Sequence, residues 1–324
     1  MNTIAITTAH LTRRFGNACA VDDLTLDIPR GIVFGFLGPN GSGKTTTIRL
    51  LLGLIEPSAG AAVVLGHDVR TAAREVRSRT GVLLEHTGLY ERLSAEANLD
   101  YYARIGQLSE ADRRARVREM LTQIGLWDRR AQPVRDWSRG MKQRLAVARA
   151  LIQRPELVFL DEPTAGLDPL AAADFRDDLV EMVRRDGTTV FLTTHNLTEA
   201  ERLCQQVGVI RAGRLLAAGR TDELRQRARS QPLVSFVGRG FDERVAAMLR
   251  ARPEVQGVCR LNSTLHVELR AGAETSPLVA AIVNAGAEVE EVRKARATLE
   301  DLFLDLVDDT NAAVPHGARE MTTC

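Results

Sequence analysis

Gly38-Pro39-Asn40-Gly41-Ser42-Gly43-Lys44-Thr45 fits the spacing G-x-x-x-x-G-K-[ST] of a loop that cradles phosphate. Glycines at these intervals let the backbone take positive φ and turn successive N–H groups toward one anion. A helix starting at the end of the loop adds the partial positive charge of its N-terminus. In such a loop Lys44 reaches the β- and γ-phosphates of a nucleotide, and the Thr45 hydroxyl, next to Thr46, ligates Mg²⁺. A second group lies far along the chain. The apolar run Leu157-Val158-Phe159-Leu160 stops at Asp161-Glu162, and Pro163 follows. Two carboxylates at the exit of a buried strand are costly unless they hold a cation or do chemistry. With Asp161 supporting Mg²⁺, Glu162 is free to orient or deprotonate a water, and a positioned base contributes roughly 10²–10⁴-fold in rate. The chemistry expected is hydrolysis of a nucleoside triphosphate.

The elements that position these groups read consistently. Residues 32–37 are apolar enough for a buried strand before the loop, and residues 45–54 continue as a helix with Ile48, Leu51 and Leu52 on its apolar face. Up to about residue 229 strands and helices alternate, the pattern of an α/β core with a largely parallel sheet. Between residues 89 and 153 the strand pattern lapses. Helices are expected at 94–105 and at 109–124, where Ser109-x-x-Asp112 marks a helix start. Arg113, Arg114, Arg116 and Arg118 on the second of these read as a solvated face.

These pieces in this order resemble the nucleotide-binding subunit of ABC transporters, over most of residues 11–219. Residues 38–45 match that family's Walker A motif and residues 157–162 its Walker B motif. Ser138-Arg139-Gly140-Met141-Lys142-Gln143-Arg144 stands where the family has its signature. Ala165-Gly166-Leu167-Asp168 matches the D-loop, His195 the switch histidine, and Phe15 the aromatic that stacks on adenine. The resemblance implies that Ser138 and Gly140 contact the γ-phosphate of ATP held by a second subunit, with Asp168 at the seam. It therefore implies a head-to-tail homodimer that closes over two ATP molecules. Three residues depart from the family pattern. Glu85 replaces a glutamine, which puts a carboxylate near Mg²⁺ or its waters. Arg139 replaces a glycine, leaving its charge either toward the phosphate or toward solvent, and Met141 replaces a glutamine. The implied fold is a P-loop NTPase, an ABC ATPase core of RecA-like α/β type with an inserted helical subdomain at about 89–153.

The chain has 324 residues, 44% of them hydrophobic, and a formal net charge of +1, which suggests two domains and offers no global signal for nucleic acid. No apolar run approaches the roughly 18 residues of a membrane span, and the first residues lack a secretory pattern. Cys19, Cys204, Cys259 and Cys324 are scattered, which favours a reducing cytoplasm and argues against a zinc site. The expected domains are 1–230 and 231–308, with a disordered tail at 309–324. In the second, strands at 233–237, 255–261, 265–269 and 288–292 and helices at 242–250 and 278–285 follow the order β-α-β-β-α-β of a ferredoxin-like α+β unit. A last helix is expected at 299–307. The tracts Glu85-His86-Thr87-Gly88-Leu89-Tyr90 and Ala297-Thr298-Leu299-Glu300-Asp301-Leu302-Phe303 are similar to those of daunorubicin-resistance exporter ATPases. That branch implies a separate ABC-2-type membrane permease, contacted near residues 85–92 from the cytoplasmic face of the membrane. A soluble ABC-type ATPase acting on ribosomes or DNA is the competing expectation, disfavoured by a single P-loop and the lack of sustained heptads.

Overall fold

The computed structural model describes residues 3–227, 233–261, 263–270, 272–294, 298–303 and 306. The chain divides into two compact units, Met1–Thr221 and Asp222–Cys324. In the first, strands β1 (Ile4–Phe15) and β2 (Ala18–Pro29) precede β3 (Val33–Leu37), the phosphate loop and α1 (Lys44–Leu51). Then come β4 (Ala59–Val64), β5 (His67–Asp68), α2 (Ala73–Ser78) and β6 (Thr80–Leu83). Helices α3 (Ala95–Ile105), α4 (Glu110–Gln123) and α5 (Arg139–Leu151) lead to β7 (Leu157–Asp161), α6 (Pro169–Asp186) and β8 (Thr189–Thr194). The unit ends with α7 (Leu197–Leu203), β9 (Gln206–Arg211) and β10 (Arg214–Arg220).

Six strands form the central sheet in the order β10-β9-β3-β8-β7-β6. All neighbouring pairs are parallel except β9 and β10. Every residue of β3, β7 and β8 is buried, as a sheet covered on both faces requires. Phe34, Phe36 and Phe159 each stack or tilt against Phe191 at centroid distances of 5.5–5.6 Å, locking three neighbouring strands at one level. This stiff sheet ends, on its C-terminal edge, in the phosphate loop after β3, Asp161 as the last residue of β7 and His195 after β8.

A second sheet departs from the expected alternation. Strands β2-β1-β4-β5 form a four-stranded antiparallel sheet. Its first hairpin pairs Phe15 with Ala18 across the two-residue turn Gly16-Asn17, with Gly16 at φ 55°. Gly-Asn between two runs of alternating burial is a hairpin signal that the α/β reading passed over.

The region between β6 and β7 is helical. Ser94 and Ser109 cap α3 and α4 by accepting hydrogen bonds from Ala97 N and Asp112 N, which sets both helix starts one residue later than expected. Two of the four arginines of α4, Arg113 and Arg116, leave the expected solvated face. Arg116 is buried and donates to the terminal carbonyls of α5, Leu151 O at 2.9 Å and Ile152 O at 3.4 Å, while pairing with Glu119. Orphan carbonyls at a helix C-terminus attract a cation, so this buried charge is compensated. Arg113 pairs with Asp100 on α3, and Arg118 lies over the Trp127 ring. Arg114, at 77% of its side-chain area, and Arg118 are the exposed two of the four.

In the second unit α8 (Thr221–Arg227) is followed by β11 (Leu233–Arg239), α9 (Glu243–Arg250), β12 (Val255–Leu261), β13 (Thr264–Leu269), α10 (Ser276–Asn284) and β14 (Glu288–Lys294). The strands pair antiparallel in the order β12-β13-β11-β14, the ferredoxin-like arrangement. Val245 and Leu249 of α9 and Leu278 and Ile282 of α10 join Val234, Phe236, Leu265 and Val267 in one apolar core. Residues 299–303 are helical. The rest of the expected last helix, apart from residue 306, and the expected tail at 309–324, with Cys324, lie outside the described residues. Among the described residues, no helix is long and apolar enough to cross a membrane.

Candidate functional site

The phosphate loop is held open by close backbone packing. Gly43, at φ 108°, has no room for a side chain, because a Cβ there would lie 2.3 Å from the carbonyl oxygen of Ala20. A Cβ on Gly38 would meet Ile210 O at 2.2 Å. Both positions are closed to other residues by backbone, which cannot move aside as a side-chain tip would. Lys44 is 6% exposed and folds back along the loop, donating to Gly38 O at 2.7 Å and Pro39 O at 3.1 Å. The Ser42 hydroxyl is buried without a hydrogen-bond partner. A buried donor without an acceptor is costly, and an anion in the loop would supply the acceptor.

A cavity of about 370 Å³ opens beside this loop, lined by Ala20, Asn40, Gly41, Gly43, Lys44, Thr45, Thr46, Glu85, Asp161 and Glu162. Thr45 donates through Oγ1 to Asp161 Oδ2 at 2.7 Å. Thr193 donates to the other carboxylate oxygen at 2.5 Å. Asp161 is 6% exposed, so these two hydroxyls stand in for the water it has lost. A hydroxyl and a carboxylate oxygen side by side form a hard-oxygen donor set that suits Mg²⁺ carried by a nucleotide. Glu162 leaves the strand with φ 49°, an uncommon conformation for a residue with a side chain. Its N–H is held by Thr193, through the carbonyl at 3.1 Å and the hydroxyl at 3.0 Å. Its carboxylate sits between Lys44 and His195. Oε1 forms an ion pair with Lys44 Nζ at 3.2 Å, without the alignment of a hydrogen bond, and Oε2 lies 2.8 Å from His195 Nδ1. An ionised carboxylate only accepts, so that contact assigns the proton to Nδ1 and leaves Nε2 for a second partner.

Ser138, Gly140 and Asp168 do not line this cavity. They gather where α5 starts. Ser138 caps α5 by accepting from Met141 N at 3.3 Å, and Asp168 caps α6 by accepting from Leu170 N and Ala171 N. A Cβ on Gly140 would touch Ala171 and Leu167 at 3.6 and 3.9 Å, so the two caps are neighbours. Gln143 donates to Pro163 O at 2.5 Å, and Arg144 pairs with Asp174 at 3.0 Å, fastening α5 to the segment after Glu162. Arg139 lies over Gly166, its guanidinium filling the space a side chain there would occupy. Phe15 is also outside the cavity lining. Its ring is 47% exposed, with the Arg13 guanidinium 4.4 Å from its centroid.

Residues 21–165 match the ABC transporter family. The daunorubicin resistance ATP-binding protein DrrA3 of Streptomyces coeruleorubidus is 40% identical over 94% of this chain and 96% of its own. The chain belongs to the ATP-binding proteins of ABC transporters. The bacitracin transport ATP-binding protein BcrA of Bacillus licheniformis is 35% identical over 95% of this chain and 98% of its own. A solved ATP-binding subunit of an ABC transporter superposes with a TM-score of 0.63 at 31% identity, covering 69% of this chain and 92% of the other. The first unit is thus a P-loop ABC ATPase fold, and members of this family bind and hydrolyse ATP.

As an ABC ATPase the chain carries functional contacts that pattern reading did not single out. Thr193 holds the Asp161 carboxylate and the Glu162 backbone N–H, yet in sequence it is one more residue of an apolar strand. Ala20 lines the cavity through backbone that approaches Gly43, and no residue type announces that.

Proposed function

We propose that this ABC ATPase powers an exporter as a homodimer, two copies closing head-to-tail over two MgATP and acting on a separate ABC-2-type permease. One observation carries this reading. Lys44, Thr45, Asp161 and Glu162 line a single cavity, whereas Ser138, Gly140 and Asp168 form a second cluster outside it. A helix N-terminus at Ser138 is an anion site that this chain's own cavity does not use, which a second copy would supply with ATP.

Within each copy the loop from Gly38 to Gly43 wraps the phosphates, Asn40, Gly41, Ser42 and Gly43 offering backbone N–H groups while Pro39, which has none, shapes the turn, and Lys44 exchanges the loop carbonyls for phosphate oxygens. That exchange withdraws the ammonium from Glu162 Oε1 and frees the oxygen to take a proton from the attacking water. His195 holds the other oxygen and fixes the carboxylate's direction. Thr45 and Asp161 would hold Mg²⁺, with Glu85 lining the same cavity. An ion held there would supply positive charge against the phosphates during transfer. Phe15 offers its exposed ring to adenine, and such stacking is worth roughly 1–3 kcal/mol.

The permease contact is read in a groove of about 580 Å³ whose lining includes Arg74, Arg77, Arg149, Tyr102 and Ile105 and no carboxylate. It is tied to the expected tract at residues 85–92, because Tyr102 donates to Gly88 O at 2.5 Å and Arg149 covers the Tyr102 ring. Burial lowers the pKa of Arg149, only partly offset by Tyr102, so a carboxylate from a docking helix would be favoured there. The relatives named for daunorubicin resistance and bacitracin transport support export of a drug-like cargo.

The reading is tested by co-expressing the chain with an ABC-2-type permease in a drug-sensitive bacterium. Tolerance should rise with both proteins and fall to background with Glu162→Gln; tolerance that survives the substitution would contradict ATP-driven export. Glu85→Gln, which restores an amide at the cavity, is expected to leave ATP affinity within about threefold while changing stimulation by the permease. A loss of affinity beyond tenfold would make Glu85 chiefly a metal ligand, as measured by nucleotide titration with and without Mg²⁺.

A further inference from the structure

Glu199 is a buried carboxyl beside the active site with no part in the mechanism above. It is the third residue of α7, a position from which a glutamate ordinarily reaches back to the N-cap amide. Here Asn196 caps the helix by accepting from Glu199 N at 3.1 Å, but the Asn196 N–H is already donated to Thr194 Oγ1 at 3.0 Å. The Glu199 side chain is therefore released, and its Oε2 accepts from Thr164 Oγ1 at 2.7 Å. Glu199 is 5% exposed, and its Oε1 is buried without a hydrogen-bond partner.

Thr164 sits in the turn between the general base and the D-loop. Ala165 N donates to Glu162 O at 3.0 Å, and Leu167 N donates to Thr164 O at 3.1 Å. Two hydrogen bonds thus close a ring through the chain. His195 meets Glu162, the next residue Asn196 caps α7, and three residues further Glu199 returns through Thr164, the residue two after Glu162. Opening the ring at Thr164 removes the tie from α7 to the turn before the D-loop and leaves the Thr193 bonds to Glu162 N and the His195–Glu162 pair.

We infer that Glu199 is a positioning residue for hydrolysis, acting through Thr164 to hold the His195–Glu162 pair and the D-loop in one rigid arrangement. The groups that face it are Arg176 from α6, Glu162 beyond β7, His195 beyond β8 and Cys204 at the end of its own helix. Burial raises the Glu199 pKa, with Glu162 adding to the rise, while the Thr164 bond, Arg176 and His195 oppose it. A neutral acceptor fits such a site, so the amide of glutamine should serve in its place.

Steady-state ATPase assays on the full chain test this. Glu199→Ala is expected to lower kcat about tenfold with the ATP KM unchanged, since only the reacting geometry is loosened. Thr164→Val should do the same, providing a second route if the alanine variant folds poorly. Glu199→Gln should keep kcat within about twofold of wild type, and the Ala/Val double variant should lose no more than either single variant. Unchanged kcat in Glu199→Ala, failure of glutamine to rescue, or additive losses in the double variant would each overturn the inference. It rests on the roles given to Glu162 and His195; those fail separately, through a His195→Ala variant that hydrolyses ATP normally.

Discussion

Glu162→Gln is expected to lower ATP turnover about 10²–10⁴-fold while nucleotide binding persists. The substitution keeps the length and hydrogen-bonding reach of the side chain but removes its basicity. Its amide nitrogen would face Lys44 Nζ, 3.2 Å from the present Oε1, so the free protein loses an attractive contact there. If bound nucleotide draws Lys44 away, as proposed, that penalty disappears. The variant should therefore trap the closed state, appearing as a dimer on size exclusion with saturating MgATP and as a monomer without nucleotide. Turnover within threefold of wild type would remove Glu162 from its role as base.

Lys44→Ala is expected to weaken ATP binding by about 30-fold or more. Removing one partner of a buried, charge-assisted contact costs about 2–5 kcal/mol, and Lys44 is 6% exposed. The loss reaches beyond the nucleotide. Gly38 O and Pro39 O lose their donor, and Glu162 Oε1 loses its ion-pair partner. Thermal unfolding of the nucleotide-free variant measures that part, and titration with a fluorescent ATP analogue measures binding. Unchanged affinity in a folded variant would contradict the cradle.

Much of the site was legible because phosphate chemistry imposes local spacing. In the loop from Gly38 to Thr45 the expected positive φ occurs at Gly41 and Gly43, and backbone crowding at Gly38 and Gly43 is a second reason for glycine that the pattern did not show. Asp161 and Glu162 were legible as carboxylates at the end of an apolar run, and Ser109 as a helix start. Residues whose work lies in long-range contacts were not. Thr193, thirty-two residues after Asp161, is recognisable only once β7 and β8 pair. Glu199 and Thr164 meet across thirty-five residues. Arg116 looked solvated because its neighbours in sequence are charged, while its actual neighbours are the carbonyls ending α5. Arg139, left between phosphate and solvent, lies instead on Gly166 of its own D-loop. Met141 contributes its backbone N–H to the Ser138 cap, and nothing further in the structure explains the residue type.

The split between the cavity and the Ser138 cluster is the centre of this account, and mixing two inactive variants tests it directly. Lys44→Ala keeps an intact signature, and Ser138→Glu keeps an intact cradle while placing a negative charge where phosphate is expected. If each site joins the cradle of one copy to the signature of another, half the dimers in an equal mixture carry one complete site. ATPase activity should then return to about one quarter of wild type by the two-fold symmetry of the dimer. If Ser138 serves the ATP of its own chain, no complete site forms in any dimer, and the mixture stays as inactive as its components.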